Sequence, residues 1–284
     1  MAFQSFTVMS RAMRHNTVTL WPNFETQLCL FMTNSSNIWR TPTQPLTLTR
    51  SDVHIWRASL ERPEAEVARL HQLLSADEQA RAARFHFEIH QRRFIVGRAI
   101  LRQLLGRYLN MDNRLIRFYK TEYDKPYIKH LLNGSELCFN VSHSHEMALY
   151  AFTRDRRVGI DIEYRRRIID LDSIAEHFFA PSEVETLMRF SPQVRPNAFL
   201  NCWTRKEAYI KGLGEGLSHP LHTFTVTLAP GQPARLVSDQ GDPTAPDRWQ
   251  FTAFDAHIDY QSAIAVEAAL TLPDERNLSY WQFT

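Results

Sequence analysis

Glycine is scarce in this chain, with nine in 284 residues, and three of the nine fall in Gly212-Leu213-Gly214-Glu215-Gly216. Cysteine is scarcer still: Cys29, Cys138 and Cys202 show no paired spacing and no CxxC. That excludes a disulfide framework and points to a reducing, cytoplasmic setting. No Cys/His cluster has zinc spacing, so a structural zinc site is not expected. No apolar run approaches the roughly 20 residues of a membrane span. The net charge is only +2, which argues against a polyelectrolyte binder and so against a nucleic-acid partner. Acids are rare at the start, where Glu25 is the one acid before Ser51. An organelle leader can have that composition, but a disordered tail or a start placed too far upstream explains it better.

What remains is an ordinary globular composition, 44% hydrophobic and 23% charged, long enough for one large domain or two modest ones. Thr41-Pro42-Thr43-Gln44-Pro45 reads as a linker. Three regions follow: an extension over 1–45 expected to be disordered or poorly packed, a first lobe over 46–157 and a second over 158–284. In the first, Val53–Trp56 reads as a strand and Glu61–Arg69 as a helix. A further helix starts at Ser75, with Glu78 completing a capping box. Arg92–Tyr108 carries apolar residues at helical spacing. Ile116–Tyr119 and Tyr127–Ile128 flank Asp124-Lys125-Pro126, and Leu137–Ser142 pairs with Ala148–Phe152 as a hairpin. In the second lobe, Val158–Glu163 is a strand. Helices span Ile168–Phe178, Ser182–Met188 and Pro196–Lys211; strands span Phe224–Leu228, Trp249–Phe254 and Gln261–Val266. The similar element order of the two halves gives the expected fold class: α+β, two related lobes with a cleft between them, a favoured ligand position.

Two segments carry the chemistry. In Gly159-Ile160-Asp161-Ile162-Glu163 the alternation of a strand puts Asp161 and Glu163 on one face. Paired carboxylates suit Mg²⁺, which takes one or two of them plus substrate phosphates; the plain alternative is a solvated strand face. In Trp203-Thr204-Arg205-Lys206-Glu207-Ala208-Tyr209-Ile210-Lys211, Trp203, Glu207 and Lys211 share a helix face at i, i+4, i+8. A surface Glu–Lys pair is the plain alternative, but the apolar Phe199, Leu200 and Ile210 mark a packed helix. The glycine cluster after it reads as a simple turn or as a loop approaching a ligand or partner. In Asn140-Val141-Ser142-His143-Ser144-His145, Ser142 and His143 could meet a phosphate; His143 and His145 could bind metal, but no further ligand stands at metal spacing. Arg81, Arg84, Arg92, Arg93 and Lys125 could form a phosphate pocket or simply face solvent. Arg165-Arg166-Arg167 reads as a solvated run.

Taken in order, Ser75 to Phe85, Lys125-Pro126, Phe139 to Ser144, Gly159 to Glu163, Phe178-Phe179 and Trp203 to Leu217 resemble the surfactin-type 4′-phosphopantetheinyl transferases. The last block follows the family pattern W-x-x-K-E-x-x-x-K and a glycine-containing loop. The resemblance covers about Leu46 to Val266. It implies a pseudo-dimer of two similar lobes with the active site in the cleft between them, and transfer of the phosphopantetheine arm of coenzyme A to a serine of an apo acyl, peptidyl or polyketide carrier protein, with release of adenosine 3′,5′-bisphosphate. It implies Mg²⁺, for which Mn²⁺ could substitute, on Asp161, Glu163 and Glu207. Glu207 resembles the base for the carrier serine and Lys211 the group on the diphosphate. Arg81, Arg93, Lys125, Ser142 and His143 match positions that hold the nucleotide and its phosphates, and a monomer is expected. Two departures stand out: Glu78 where some relatives carry a basic residue near the 3′-phosphate, and Asp124 where glycine is frequent. A non-enzymatic coenzyme A or carrier binder and another Mg²⁺-dependent phosphate enzyme are the competing classes.

Overall fold

The computed structural model describes residues 38–268 and 277–284. The first lobe runs β1 (Asp52–Ser59), α1 (Glu64–His71), α2 (Ala76–Ala82), α3 (Glu88–Leu109), β2 (Tyr119–Lys120), β3 (Pro126–Tyr127), β4 (Leu131–Leu132), β5 (Ser135–Ser144) and β6 (Met147–Arg154). The second runs β7 (Val158–Tyr164), α4 (Leu171–Phe178), α5 (Pro181–Met188), α6 (Arg195–Leu213), β8 (Phe224–Val226), β9 (Leu236–Asp239), α7 (Ala245–Arg248), β10 (Trp249–Phe254) and β11 (Tyr260–Glu267). Each lobe thus opens with a strand, passes through three helices and returns to strands, so the expected two-lobed α+β architecture is present.

A five-stranded sheet has the order β12-β1-β6-β5-β4 and a three-stranded sheet the order β10-β11-β7, where β12 is Asn277–Gln282. Residues of β6 alternate between two cores. Ala148, Tyr150 and Phe152 pack with α3, through Ile100, Leu104 and Leu105. Leu149 and Ala151 pack with Ile160, Ile162, Ile264 and Val266 of the second sheet. The far side of that sheet, at Ala263, Ala265 and Phe251, packs under Phe199, Trp203 and Tyr209 of α6. The result is helices, sheet, sheet, helices. Both faces of the middle strands are covered, so β6 reads as a near-continuous apolar run, while β7 alternates apolar residues with the buried acids Asp161 and Glu163.

Helix ends follow local chemistry. Asn110 (φ 49°) closes α3, and Gly214 (φ 85°) closes α6, both in the left-handed conformation of a C-cap. The expected capping box at α2 has its Glu78 half in place. Glu78 Oε2 accepts from Ser75 N at 2.9 Å, while the Ser75 hydroxyl donates to Asp77 Oδ1 at 2.7 Å.

Two boundary expectations need correction. The region 158–284 is not all second lobe, because β12 pairs in parallel with β1, from Asp52↔Asn277 to Arg57↔Gln282, and Phe283 sits in the first lobe's core. A parallel partner distant in sequence leaves no local signal. Nor is the extension over 1–45 unpacked throughout. Residues 1–37 lie outside the described residues, but Arg40 N donates to Tyr280 O (3.0 Å) and Gln282 N donates to Arg40 O (2.7 Å). This covers an exposed sheet edge, which otherwise leaves N–H and C=O groups open. Trp39 lies beside Tyr280 and Phe254, at centroid distances of 5.2 and 6.3 Å, under the Arg57 guanidinium at 4.7 Å.

Candidate active site

The site depends on how closely β7 approaches α6. A Cβ on Gly159 would lie 2.0 Å from Ala208 O and 2.2 Å from Gly212 N; one on Gly212 would meet the Trp249 ring at 2.6 Å. Two bare backbones therefore touch, and the side chains that flank them are pressed together. Gly212 is thus a packed helical residue, which corrects the reading of the whole cluster as a loop. Gly214 and Gly216 (φ 57°) form the turn beyond it.

The plain alternatives for both motifs fail on burial. Asp161 is 2% exposed, Glu163 9%, Glu207 1% and Lys211 9%. Lys211 Nζ donates to Asp161 Oδ1 at 2.5 Å and to Ser142 Oγ at 3.1 Å, and stands 3.9 Å from Glu207 Oε2. Ser142 Oγ donates to the same Asp161 oxygen at 2.9 Å. One lysine therefore ties together the strand motif, the helix motif and the end of β5.

A ladder of side chains holds β5 beside β7 although the two belong to different sheets. Asn140 Oδ1 accepts from Ile160 N (2.8 Å), Ser142 reaches Asp161, and Ser144 Oγ donates to Glu163 Oε2 (2.9 Å) while accepting from Tyr164 N (3.0 Å). Asn140 and Ser144 were not singled out from sequence. The signal was there: residues 140, 142 and 144 are polar at period two on a strand whose other face is Leu137, Phe139 and Val141.

Charge in the cluster is unbalanced. Burial, and then the charges of Asp161 and Glu207, push the Glu163 carboxyl up to about 8. Burial works against the Lys211 ammonium, but Asp161, Glu207 and Glu163 outweigh it and hold its pKa above the ordinary lysine value. Burial pushes His143 down to about 4, helped by the neighbouring Lys211, Arg93 and His90. His143 is therefore a neutral ring at physiological pH, set among cations.

Lys206, given no role of its own in the helix pattern, anchors α6 against turning about its axis. Its ammonium is fully buried, 2.7 Å from Glu183 Oε2, and donates to Leu221 O (2.8 Å) and Phe224 O (2.5 Å). Glu183 is itself held by Ala180 N and Val226 N. Glu207, the next residue, takes its direction from this anchor.

The nucleotide-side expectations are met unevenly. Arg93 is near His143 electrostatically and pairs with Glu61 at 2.9 Å. Arg81 stacks over Phe94 at 5.2 Å, whereas Arg84 is exposed and Arg92 is engaged with Arg62 O on the surface. Lys125 Nζ is turned to the end of α6, donating to Gly212 O (3.1 Å) and Val158 O (3.4 Å). Burial lowers its pKa to about 8. Asp124 has φ 66°, so the backbone there demands the conformation that glycine adopts freely and that aspartate tolerates. Glu78 is a buried counter-ion, 2.7 Å from Arg102 and 3.4 Å from Arg98.

A divalent cation suits this donor set. The oxygens are hard ligands, Asp161 Oδ2 is buried with no hydrogen-bond partner among the described residues, and the carboxyl of Glu163 is under repulsion from its neighbours. However, no three His, Cys, Asp or Glu groups among the described residues stand at metal-holding geometry, the pair His143 and His145 included. Asp161, Glu163 and Glu207 share one cluster, with the Lys211 ammonium between Asp161 and Glu207.

A model of the 4′-phosphopantetheinyl transferase superfamily matches residues 157–266, and one of the 4′-phosphopantetheinyl transferase N-terminal region matches residues 55–154. The two meet at the turn between β6 and β7. The chain is 41% identical over 198 residues to the 4′-phosphopantetheinyl transferase HetI of a Nostoc species, covering 70% of this chain and 83% of that protein. It is 34% identical over 176 residues to the 4′-phosphopantetheinyl transferase ffp of Bacillus subtilis and 32% over 176 residues to Sfp of the same species. Each of these two alignments covers 61% of this chain and 76% of the relative.

Proposed function

This chain belongs to the Sfp-type 4′-phosphopantetheinyl transferases, and we propose that it carries the phosphopantetheine arm of coenzyme A onto a serine hydroxyl of an apo carrier protein. The observation that carries the reading is the Lys211 contact to Asp161 and Ser142, which joins the helix motif, the strand motif and the end of β5 at one point.

Phosphoryl transfer depends on positioning and charge neutralisation more than on covalent help. Lys211 meets the diphosphate and neutralises the phosphate that leaves. Ser142 donates its hydroxyl to a phosphate oxygen, and the neutral His143 ring donates an N–H beside it. Arg93, Lys125 and Arg81 extend the positive side of the cleft towards the nucleotide. Glu207, held by the Lys206 anchor, accepts the proton of the carrier serine, directly or through water. The serine oxygen bonds to the phosphorus that bears pantetheine, the bond from that phosphorus to the bridging oxygen breaks, and adenosine 3′,5′-bisphosphate leaves. Asp161, Glu163 and Glu207 would hold Mg²⁺, or Mn²⁺ in its place. When bound, the metal polarises the diphosphate and neutralises its charge.

The protein works as a monomer, since both lobes of the cleft come from one chain. A cytoplasmic setting is supported by Cys138 and Cys202, which are free thiols. Among the described residues no helix is long and apolar enough to cross a membrane. The test is incubation of the purified protein with coenzyme A, Mg²⁺ and a panel of apo-carriers, read by intact mass. A gain of one phosphopantetheine on a carrier is expected. Phosphate release without a carrier, and no carrier modified, would instead make it a phosphohydrolase.

A further inference from the structure

We infer that Lys125 is a positioning residue: its ammonium, reaching over from the first lobe, fastens the end of α6 to the start of β7 and so sets where Lys211 and Asp161 meet. The inference rests on the transfer reading above and gives Lys125 a task beyond the charge it adds to the cleft.

The turn between β2 and β3 is built to aim this side chain. Thr121 N donates to Lys125 O (2.9 Å), Lys125 N donates to Thr121 Oγ1 (3.1 Å), and Asp124 N donates to Thr121 O (3.0 Å). Asp124, in the left-handed region at φ 66°, is held in turn by Lys120 Nζ at 2.8 Å. The Tyr119 and Tyr127 rings lie 5.6 Å apart across the base of the hairpin. A turn pinned at this many points gives the Lys125 stem a fixed origin.

The stem ends where two backbones touch. The ammonium donates to Gly212 O (3.1 Å) and Val158 O (3.4 Å). Val158 precedes Gly159, and Gly212 is the helical residue that a Cβ on Gly159 would strike. One cation thus bridges the two segments at their contact. Carbonyls in the last turn of a helix have no intrahelical N–H to accept from, and a cation there also meets the negative end of the helix dipole. Two carbonyls, not a carboxylate, receive the ammonium; the Glu136 charge acts on it only after burial, Cys138 and Arg157. Gly214 makes room for the stem, since a Cβ there would stand 3.1 Å from Lys125 Cδ.

Lys211 directly precedes Gly212, and Asp161 follows Val158 by three residues on β7. Any slip of the helix end along the strand therefore changes the contact between Lys211 and Asp161. Lys206 holds the middle of α6 from within the second lobe; Lys125 holds its end from the first. Two of the three ammonium donors already go to backbone carbonyls, so the side chain acts on turnover more than on coenzyme A affinity. A misplacement of about 1 Å can cost about 10²-fold in rate.

Steady-state transfer at saturating apo-carrier and varied coenzyme A, on wild type and Lys125→Met, separates the two tasks. The variant should lose about 10- to 100-fold in kcat, while KM for coenzyme A moves by less than about threefold. Hydrogen exchange read by mass spectrometry should quicken in peptides covering 210–216 and stay unchanged in those covering α3. Lys125→Arg keeps a cationic donor at the helix end and should recover part of kcat; it carries the comparison if Lys125→Met unfolds. A KM raised about tenfold or more with kcat kept would make Lys125 a nucleotide ligand and overturn the assignment. An unchanged kcat, or a fall in kcat without faster exchange at 210–216, overturns it as well. If wild type modifies no carrier, the transfer reading fails by itself, and the exchange comparison still decides whether Lys125 fastens α6.

Discussion

Lys211 and Asp161 form a buried ion pair at 2.5 Å across the junction of α6 and β7. Their sequence separation is 50 residues, and each lies in a motif whose polar side chains could have faced water. Breaking a buried pair from one side leaves an uncompensated charge. Lys211→Met should therefore lower stability by about 3 kcal/mol and turnover by about 10²–10³-fold. Urea unfolding and single-turnover transfer would measure the two. A variant of parental stability and rate would remove Lys211 from the site.

Gly159→Ala tests whether close backbone approach builds the cluster. The added methyl has no space beside Ala208 O and Gly212 N, so the strand and helix must separate. Overpacking of this kind should cost about 3 kcal/mol, with activity lost before the fold is. An unchanged urea midpoint would mean that the approach is slack.

Acid stability should depend on His54, away from the site. Its Nδ1 is 2.8 Å from Tyr108 Oη, which also accepts from Trp56 Nε1 at 2.9 Å. Burial, opposed by the Asp52 charge, lowers its pKa from 6.5 to about 4. Between those values the unfolded chain binds the proton and the folded chain does not, so stability falls as pH drops from 6.5 towards 4. The loss attributable to this ring is about 3 kcal/mol. His54→Gln should flatten the pH dependence of unfolding in that window; a slope equal to wild type would contradict the assignment.

Trp39 clasps the lobes. It stacks on Arg57 of the first lobe, whose Nη1 donates to Ala256 O of the second at 2.6 Å, and its own Nε1 donates to Asp255 O at 3.3 Å. Trp39→Ala should cost about 2 kcal/mol, measured by thermal unfolding. No change in melting temperature would show that the clasp carries no load.

The legible parts of this protein were those with a local period. The hairpin β5–β6, strand β7 and helix α6 follow from two- and four-residue spacing, and the two acids of β7 were placed on one face correctly. Long-range partners were not legible. Nothing near Gly159 announces that Gly212 will touch it, and nothing in Asn277–Gln282 announces a parallel seat beside β1. Lys206 and Glu207 are adjacent in sequence and both buried, yet one ties a helix to a loop and the other enters the reaction cluster. Their division of labour depends on what the next layer offers. Glu78 was legible as a helix cap, but its second role, as the acid between Arg98 and Arg102, needed α3 in place.

The most direct measurement is single-turnover transfer by Glu207→Gln, compared with wild type on the same apo-carrier and with unfolding curves recorded in parallel. If the buried acids on β7 and α6 run the reaction, the variant stays folded and loses about 10³-fold or more in rate. A folded variant that modifies the carrier at the parental rate would contradict the account.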